Sequence, residues 1–313
     1  MKKENSILKV LAYFDQFGYP ITKEEIAFFL DQNICSLELS DLLLNLKKSG
    51  IIFQAGKFYS LQDDVSLYEK RVKGNIQALP LLKKANKISR FLFQFPFVNA
   101  VLISGSLSKN FANKDADIDF FIITKPNRLW IARTCMHFFK KLTFLFNKQH
   151  FFCMNYYIDE TALQIEEKNE FTATEMLTLI PSSGNSTTSA FFKQNDWVNY
   201  YYPNYSLINK EPKNKLSDNL LKKIIEFLFQ NNLGNRIDNY LMKLTNKRWK
   251  QKEKNKHTSK SGRRMGLRAE KHSCKPNPYF FQKKLLNKYY TRLYEVIRKF
   301  EKMNEEQKSA FLN

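Results

Sequence analysis

The chain has 313 residues, 43% hydrophobic and 15% aromatic, and this composition predicts a folded globular protein and excludes a disordered one. Its formal net charge of +21 favours polyanionic partners such as nucleic acid or nucleotides, although compositional bias accounts for part of this charge. The four cysteines are widely spaced, and no stretch resembles a signal peptide or a membrane span, so we expect a cytoplasmic protein with reduced thiols and no membrane partner.

The first predicted unit covers residues 1–62. "ILKVLAYFDQF" predicts one helix, "TKEE" at Thr22–Glu25 predicts a capping box for a second, and "LELSDLLLNLKKSG" predicts a third. "IIFQAGKFYSL" then predicts a β-hairpin, and this order of elements resembles a winged helix-turn-helix. Such domains often read DNA with the third helix. Because Glu38 and Asp41 lie near the start of that helix, a structural or protein-docking role is favoured over DNA contact.

Residues 63–200 alternate helix and strand, which is typical of an α/β fold. Helical stretches interrupted near Pro80 come first, followed by the strands "VNAVLISG" and "DADIDFFIIT". A long helix, "NRLWIARTCMHFFKKLTFLF", leads to a third strand, "HFFCMNYYIDE". A last helix, "TATEMLTLI", has Thr172 as its predicted cap. We therefore predict a small mixed sheet with helices on one side.

Residues 201–313 are predicted to be mostly helical and strongly basic. Between two amphipathic helices, the segment 243–275 contains thirteen Lys and Arg against two Glu and few apolar residues. This pattern predicts a loop, or a segment that becomes ordered on an anion, and RNA or DNA are possible partners for it.

Two carboxylates, Asp117 and Asp119, lie in an otherwise hydrophobic strand. Alternate strand residues share a face, so the two side chains point the same way. Burying adjacent carboxylates unpaired is costly, and a divalent cation between them removes that cost. Mg²⁺ prefers such hard oxygen ligands and completes its shell with water and substrate phosphates. The pair therefore predicts a site for Mg²⁺ or Mn²⁺.

A Gly-Ser turn ends the preceding strand. Gly105 lets the backbone approach a phosphate closely, and the hydroxyl of Ser106 with nearby N–H groups can bind phosphate oxygens. Lys109 is a further candidate contact for the triphosphate of an NTP. Together with the aspartates, these residues predict metal-dependent nucleotidyl transfer.

The Gly-Ser turn, ten further residues and then "DID" in an apolar strand resemble the signature of the DNA polymerase beta-type nucleotidyltransferase superfamily. The resemblance implies that the Gly-Ser turn binds nucleotide phosphates and that Asp117 and Asp119 hold two Mg²⁺ ions. The whole chain also resembles uncharacterised bacterial nucleotidyltransferase-domain proteins with an amino-terminal winged helix, which do not identify a substrate.

The resemblance also implies a third carboxylate on the next core strand. Asn155 lies in the middle of that strand, where the carboxylate is expected, and Asp159 lies at its end. Since Asn is a poor proton acceptor, Asp159 is the preferred third catalytic residue. The acidic residues that follow the strand are reserves: Glu160, Glu166, Glu167 and Glu170.

Two functions follow from these residues. The first is an enzyme that transfers an NMP from an NTP to the hydroxyl of a protein, an RNA or a small molecule. The alternative is a nucleotide-binding regulator of weak activity, coupled to a winged helix that binds DNA or protein. Asn155 at the third position favours the regulator, whereas the acidic third helix argues against a DNA reader.

Overall fold

The structure, a computed structural model, describes residues 2–312 except 115, 205–209, 213, 256–264 and 279–280. No helix in this part of the chain is long and apolar enough to cross a membrane.

The amino-terminal unit has three helices and a three-stranded antiparallel sheet of order β1-β3-β2. Its elements are α1 (Lys3–Asp15), β1 (Ile21–Thr22), α2 (Lys23–Phe29), α3 (Ser36–Lys48), β2 (Phe53–Ala55) and β3 (Phe58–Ser60). The predicted capping box is confirmed, because the Glu25 N–H donates to Thr22 Oγ1 while Glu25 Oε2 accepts from the Thr22 N–H. The three helices and the hairpin thus form where the sequence predicted them.

A single helix, α4 (Val65–Phe93), follows and continues through Pro80. The predicted interruption is therefore wrong. Pro80 has no N–H, so the Ile76 carbonyl loses its helical partner, but both residues lie on the exposed side, where water can bind that carbonyl. The opposite side of α4, including Ala78, Ala85 and Leu92, is fully buried.

The central sheet is mixed and has seven strands in the order β8-β7-β4-β5-β6-β10-β9. The strands are β4 (Val98–Ser104), β5 (Asp119–Thr124), β6 (Cys153–Asp159), β7 (Ile180–Gly184), β8 (Asn214–Lys215), β9 (Met265–Ala269) and β10 (Ser273–Pro278). β4 pairs with β5 in antiparallel fashion, whereas β5 and β6 are parallel. This arrangement puts the end of β4 beside the start of β5.

Helices cover both faces of the sheet. The remaining helices are α5 (Gly105–Ser108), α6 (Leu129–Thr143), α7 (Glu170–Thr178), α8 (Ser186–Gln194), α9 (Leu220–Phe229), α10 (Asn232–Lys254) and α11 (Phe281–Leu312). Phe120 and Ile122 pack with α4, α6 and α10, while Phe121 and Ile123 share a core with α7, α8, α11 and the amino-terminal unit. The prediction of helices on one side was wrong, because residues far apart in the chain cover the second face.

The basic segment 243–275 differs from the predicted loop in its described part. It includes the end of α10, all of β9 and the first residues of β10. β10 pairs with β6, with Ser273 opposite Ile158 and Cys274 opposite Tyr157. In β9, Leu267 and Ala269 alternate with a glycine and an arginine and pack against the core, but this five-residue pattern is too short to stand out among the surrounding basic residues. Pairing of β10 with β6 and with β9 therefore decides the conformation of this segment.

Candidate active site

The turn from β4 into α5 brings the backbone against a carboxylate. Gly105 has a φ of +70°, in the left-handed region, and a Cβ at this position would lie 2.5 Å from Asp119 Oδ2. Any larger residue would strain the turn and collide with Asp119. Ser106 follows on the exposed side. The predicted Gly-Ser turn and Asp119 therefore lie side by side.

Asp119 begins β5 opposite Ser104 and shares the sheet face of Phe121. Burial, together with the negative charges of Asp117 and Glu175, raises the pKa of its carboxyl to about 6, although hydrogen bonding with Cys153 acts in the opposite direction. Asp117 is partly buried and precedes β5, so the prediction that both aspartates lie within the strand is wrong. The surroundings of Asp119 thus disfavour its ionised form. A bound cation would stabilise that form.

Asn155 occupies the third position beside the pair. Its Nδ2 donates to Asp119 Oδ1 at 2.5 Å, and its Oδ1 accepts from Cys153 Sγ at 3.1 Å. The pairing of β6 with β5 shifts register at this residue, since Phe120 is opposite Met154 and Phe121 is opposite Tyr156. An amide therefore lies where the superfamily resemblance implied a carboxylate.

Asp159, the predicted third catalytic carboxylate, is not at this site. It pairs with Thr124 at the far end of β5, about 16 Å of extended strand from Asp119. Its buried carboxylate accepts from the backbone N–H groups of Asn127 and Thr161, from the Thr161 hydroxyl and from His272. Asp159 therefore holds together the loops at that end of the sheet.

The reserve carboxylates also have other partners. Glu160 accepts from Asn99 and Thr187, and Glu170 accepts from the Tyr290 hydroxyl. The remaining two, Glu166 and Glu167, form ion pairs with Arg268 at 3.2 Å. None of the four lines the cavity in front of Asp119.

Glu175 on α7 is the acidic residue that sequence reasoning missed. Lys109 Nζ donates to Glu175 Oε1 at 2.8 Å and to the Gly105 carbonyl at 3.3 Å. Lys109 thus lies at the turn as predicted, with a carboxylate partner. The sequence contained one indication that Glu175 has a special role, because it is the one charged residue between Glu170 and Lys193.

These groups face a cavity of about 600 Å³. Its polar lining includes Ser106, Lys109, Asp119, Asn155 and Glu175. Aromatic rings from α1, β5, β6, α7 and α11 form much of the remaining wall. The size is typical of small-ligand sites, which also combine an apolar wall with a few polar groups.

The donor set suits a divalent cation that is shared with a substrate. Within the described ranges, no group of three or more His, Cys, Asp or Glu could hold a metal ion. Mg²⁺ commonly takes only one or two protein carboxylates and obtains its other oxygens from water and phosphates. Asp119, disfavoured as a bare anion, and the neighbouring Asp117 fit that use.

Comparison with known proteins finds a similarity in the central part of the chain. Residues 82–230 match the family model described as "Nucleotidyltransferase domain". No curated protein and no solved structure matches the chain. The matched segment contains β4, α5, β5 and β6, and therefore the Gly-Ser turn, both aspartates and Asn155. Residues 82–230 are thus similar to a nucleotidyltransferase domain, which supports the resemblance to the DNA polymerase beta-type superfamily.

Proposed function

We propose that the protein is a metal-dependent nucleotidyltransferase that moves an NMP from an NTP to an acceptor hydroxyl. The main support is that Asp119 lies against the Gly105 turn at the edge of a ligand-sized cavity, and that both residues belong to the segment similar to a nucleotidyltransferase domain. Asp117 and Asp119 would hold Mg²⁺ or Mn²⁺, and the ion would supply charge neutralisation for the phosphates.

Other residues near Asp119 would bind the phosphates and accept the proton. The Gly105 turn and the Ser106 hydroxyl bind phosphate oxygens, and Lys109 adds positive charge beside them. In the transfer step, the acceptor oxygen forms a bond to the α-phosphorus while the bond to the bridging oxygen breaks and pyrophosphate leaves. The hydroxyl proton passes to a carboxylate, for which Glu175 is our candidate, because the amide of Asn155 is a poor proton acceptor.

Asn155 supports a second candidate function. With an amide in contact with Asp119, the domain could bind an NTP without turning it over and act as a nucleotide-dependent regulator. The amino-terminal unit would transmit the signal, since the Tyr19 hydroxyl donates to the Lys109 carbonyl at 2.5 Å. DNA binding by residues 1–62 and nucleic-acid binding by 243–275 stay predictions.

Label transfer distinguishes the two functions. Wild-type protein and the Asp117→Ala/Asp119→Ala double variant are incubated with each NTP labelled at the α-phosphate, with Mg²⁺ or Mn²⁺ and cell-extract fractions. We expect an acceptor to be labelled by the wild type and not by the double variant. Metal-dependent NTP binding without transfer would support the regulator, and wild type that binds no NTP would refute both functions.

The proposed metal site predicts a pH-dependent stabilisation by Mg²⁺. The pKa of Asp119 in the folded protein, about 6, lies above its ordinary value of 3.8. Its protonated form therefore favours folding at low pH, and this stability is lost as the pH rises through about 6. A bound cation offsets the loss, so added Mg²⁺ should raise the melting temperature more at about pH 8 than at about pH 5. An equal shift at both pH values, measured by calorimetry, would contradict this assignment.

A further inference from the structure

Part of the cavity wall comes from outside the nucleotidyltransferase segment 82–230. Tyr13, Phe14, Phe17 and Tyr19 line it from the amino-terminal unit, and Lys275 and Phe281 line it from the carboxyl-terminal region. The matched segment supplies the Gly-Ser turn and the aspartates, which are the groups that an NTP requires. The added walls are therefore the part of the cavity that can recognise a second substrate.

Direct contacts join these walls to the nucleotidyltransferase segment and to each other. The Tyr19 ring packs edge-on against Phe111 with centroids 5.7 Å apart, and the Arg71 guanidinium lies 3.7 Å above the Tyr19 ring. At the other side, Arg292 Nε of α11 donates to Asp15 Oδ2 of α1 at 2.8 Å. Elements from both termini thus join over the sheet face that carries Asp119.

The cavity walls from the two termini restrict which acceptor can enter. Proteins that bind single-stranded nucleic acid use a positively charged groove that follows the backbone over several nucleotides. Here the cavity wall is mainly apolar and aromatic, and the lysine beside the turn, Lys109, is paired with Glu175. Such a wall suits one flat molecule rather than a polyanionic strand.

A buried hydroxyl adds a polar contact for that molecule. Thr172 lines the cavity and is 7% exposed, yet its Oγ1 has no hydrogen-bond partner within the described residues. The hydroxyl is not the helix cap that the sequence predicted, since the Asn169 side chain caps α7. Buried polar groups are nearly always hydrogen-bonded, so an unpaired hydroxyl at a cavity points to a ligand.

We propose that the cavity takes the acceptor, and that the acceptor is a small molecule with a flat, largely apolar body and a hydroxyl group. The aromatic walls contact its body, Thr172 hydrogen-bonds a polar substituent, and the reacting hydroxyl faces Asp119 and Glu175. This inference rests on the proposed nucleotidyl transfer and names its substrate class.

The test follows label from the NTP in parallel reactions. The acceptors are the low-molecular-weight filtrate of a cell extract, its RNA, its protein, and two defined compounds, benzyl alcohol and adenosine. We expect label in the filtrate or on a defined compound, and little on RNA or protein. Preferential labelling of RNA or protein would overturn the proposal, as would metal-dependent NTP binding with no labelled acceptor. Absence of NTP binding would instead refute the proposed function itself.

Two variants then locate the acceptor. Thr172→Val removes the unpaired hydroxyl, and Phe17→Ala shortens a wall residue that is 44% exposed. Each should raise the acceptor KM roughly two- to tenfold and leave the KM for the NTP unchanged. The controls are Thr143→Val and Phe91→Ala, which have the same exposures, 7% and 44%, and lie away from the cavity. A higher KM for the NTP instead of the acceptor would mean that the aromatic wall holds the nucleobase.

Discussion

Replacing Asp119 by Asn should lower nucleotidyl transfer roughly a hundred- to a thousandfold while leaving the protein folded. Asn has the same shape and can still accept the hydrogen bond from Asn155, so packing at the start of β5 is retained. It lacks the negative charge that the proposed metal site needs. Steady-state rates with the α-labelled NTP at saturating Mg²⁺ measure the loss.

The same variant should be slightly more stable than wild type at neutral pH. Burial and the charges of Asp117 and Glu175 disfavour the Asp119 anion, and the neutral amide avoids this cost. The gain should disappear at low pH, where Asp119 is protonated. Glu166→Gln is the matched control, because Glu166 is an exposed carboxylate outside the cavity and should affect neither activity nor stability. Wild-type transfer rates in Asp119→Asn would remove the main support for the proposed function.

Replacing Asp159 by Ala should give the opposite result, with lower stability and unchanged transfer by each folded molecule. The substitution leaves the N–H groups of Asn127 and Thr161, and the ring of His272, without their carboxylate partner. We expect a loss of about 2–4 kcal/mol in the free energy of unfolding. Denaturant titration measures this loss, and active-site titration with NTP gives the folded fraction to which activity is normalised.

The Asp159 result separates a structural carboxylate from a catalytic one. Asp159→Asn serves as a milder variant, since its amide oxygen can still accept from the Asn127 N–H. Both variants should keep the wild-type KM for NTP and acceptor. A large fall in kcat in a variant that stays fully folded would mean that Asp159 takes part in the reaction, despite its position beside the far end of β5.

The Gly-Ser turn and the strand that begins at Asp119 were predictable from the sequence because their determinants are local. Gly105 permits the left-handed turn that ends β4, and strand alternation puts Asp119 on a defined face of β5. The Thr22–Glu25 capping box and the apolar face of α1 are short-range patterns of the same kind. Such features depend on residues a few positions apart, and tertiary contacts did not change them.

Only the structure could show which residue of β6 lies beside Asp119. Asn155 and Asp159 lie on the same strand and both alternate toward a plausible face, so periodicity could not choose between them. The parallel register of β6 against β5, including the shift at Asn155, decides which of them reaches Asp119. Register is a property of two strands together, and a single-strand pattern does not contain it.

By itself, the sequence determined the motif that resembles nucleotidyltransferases, the order of the first elements and the helical and strand character of the segment around that motif. Tertiary structure alone decided that α1 and α11 wall the cavity, that Glu175 reaches Lys109, and that β10 extends the sheet. These contacts join residues that are far apart in the chain. Their formation depends on which apolar surfaces and strand edges are left uncovered once the core has assembled, and no local propensity specifies that outcome.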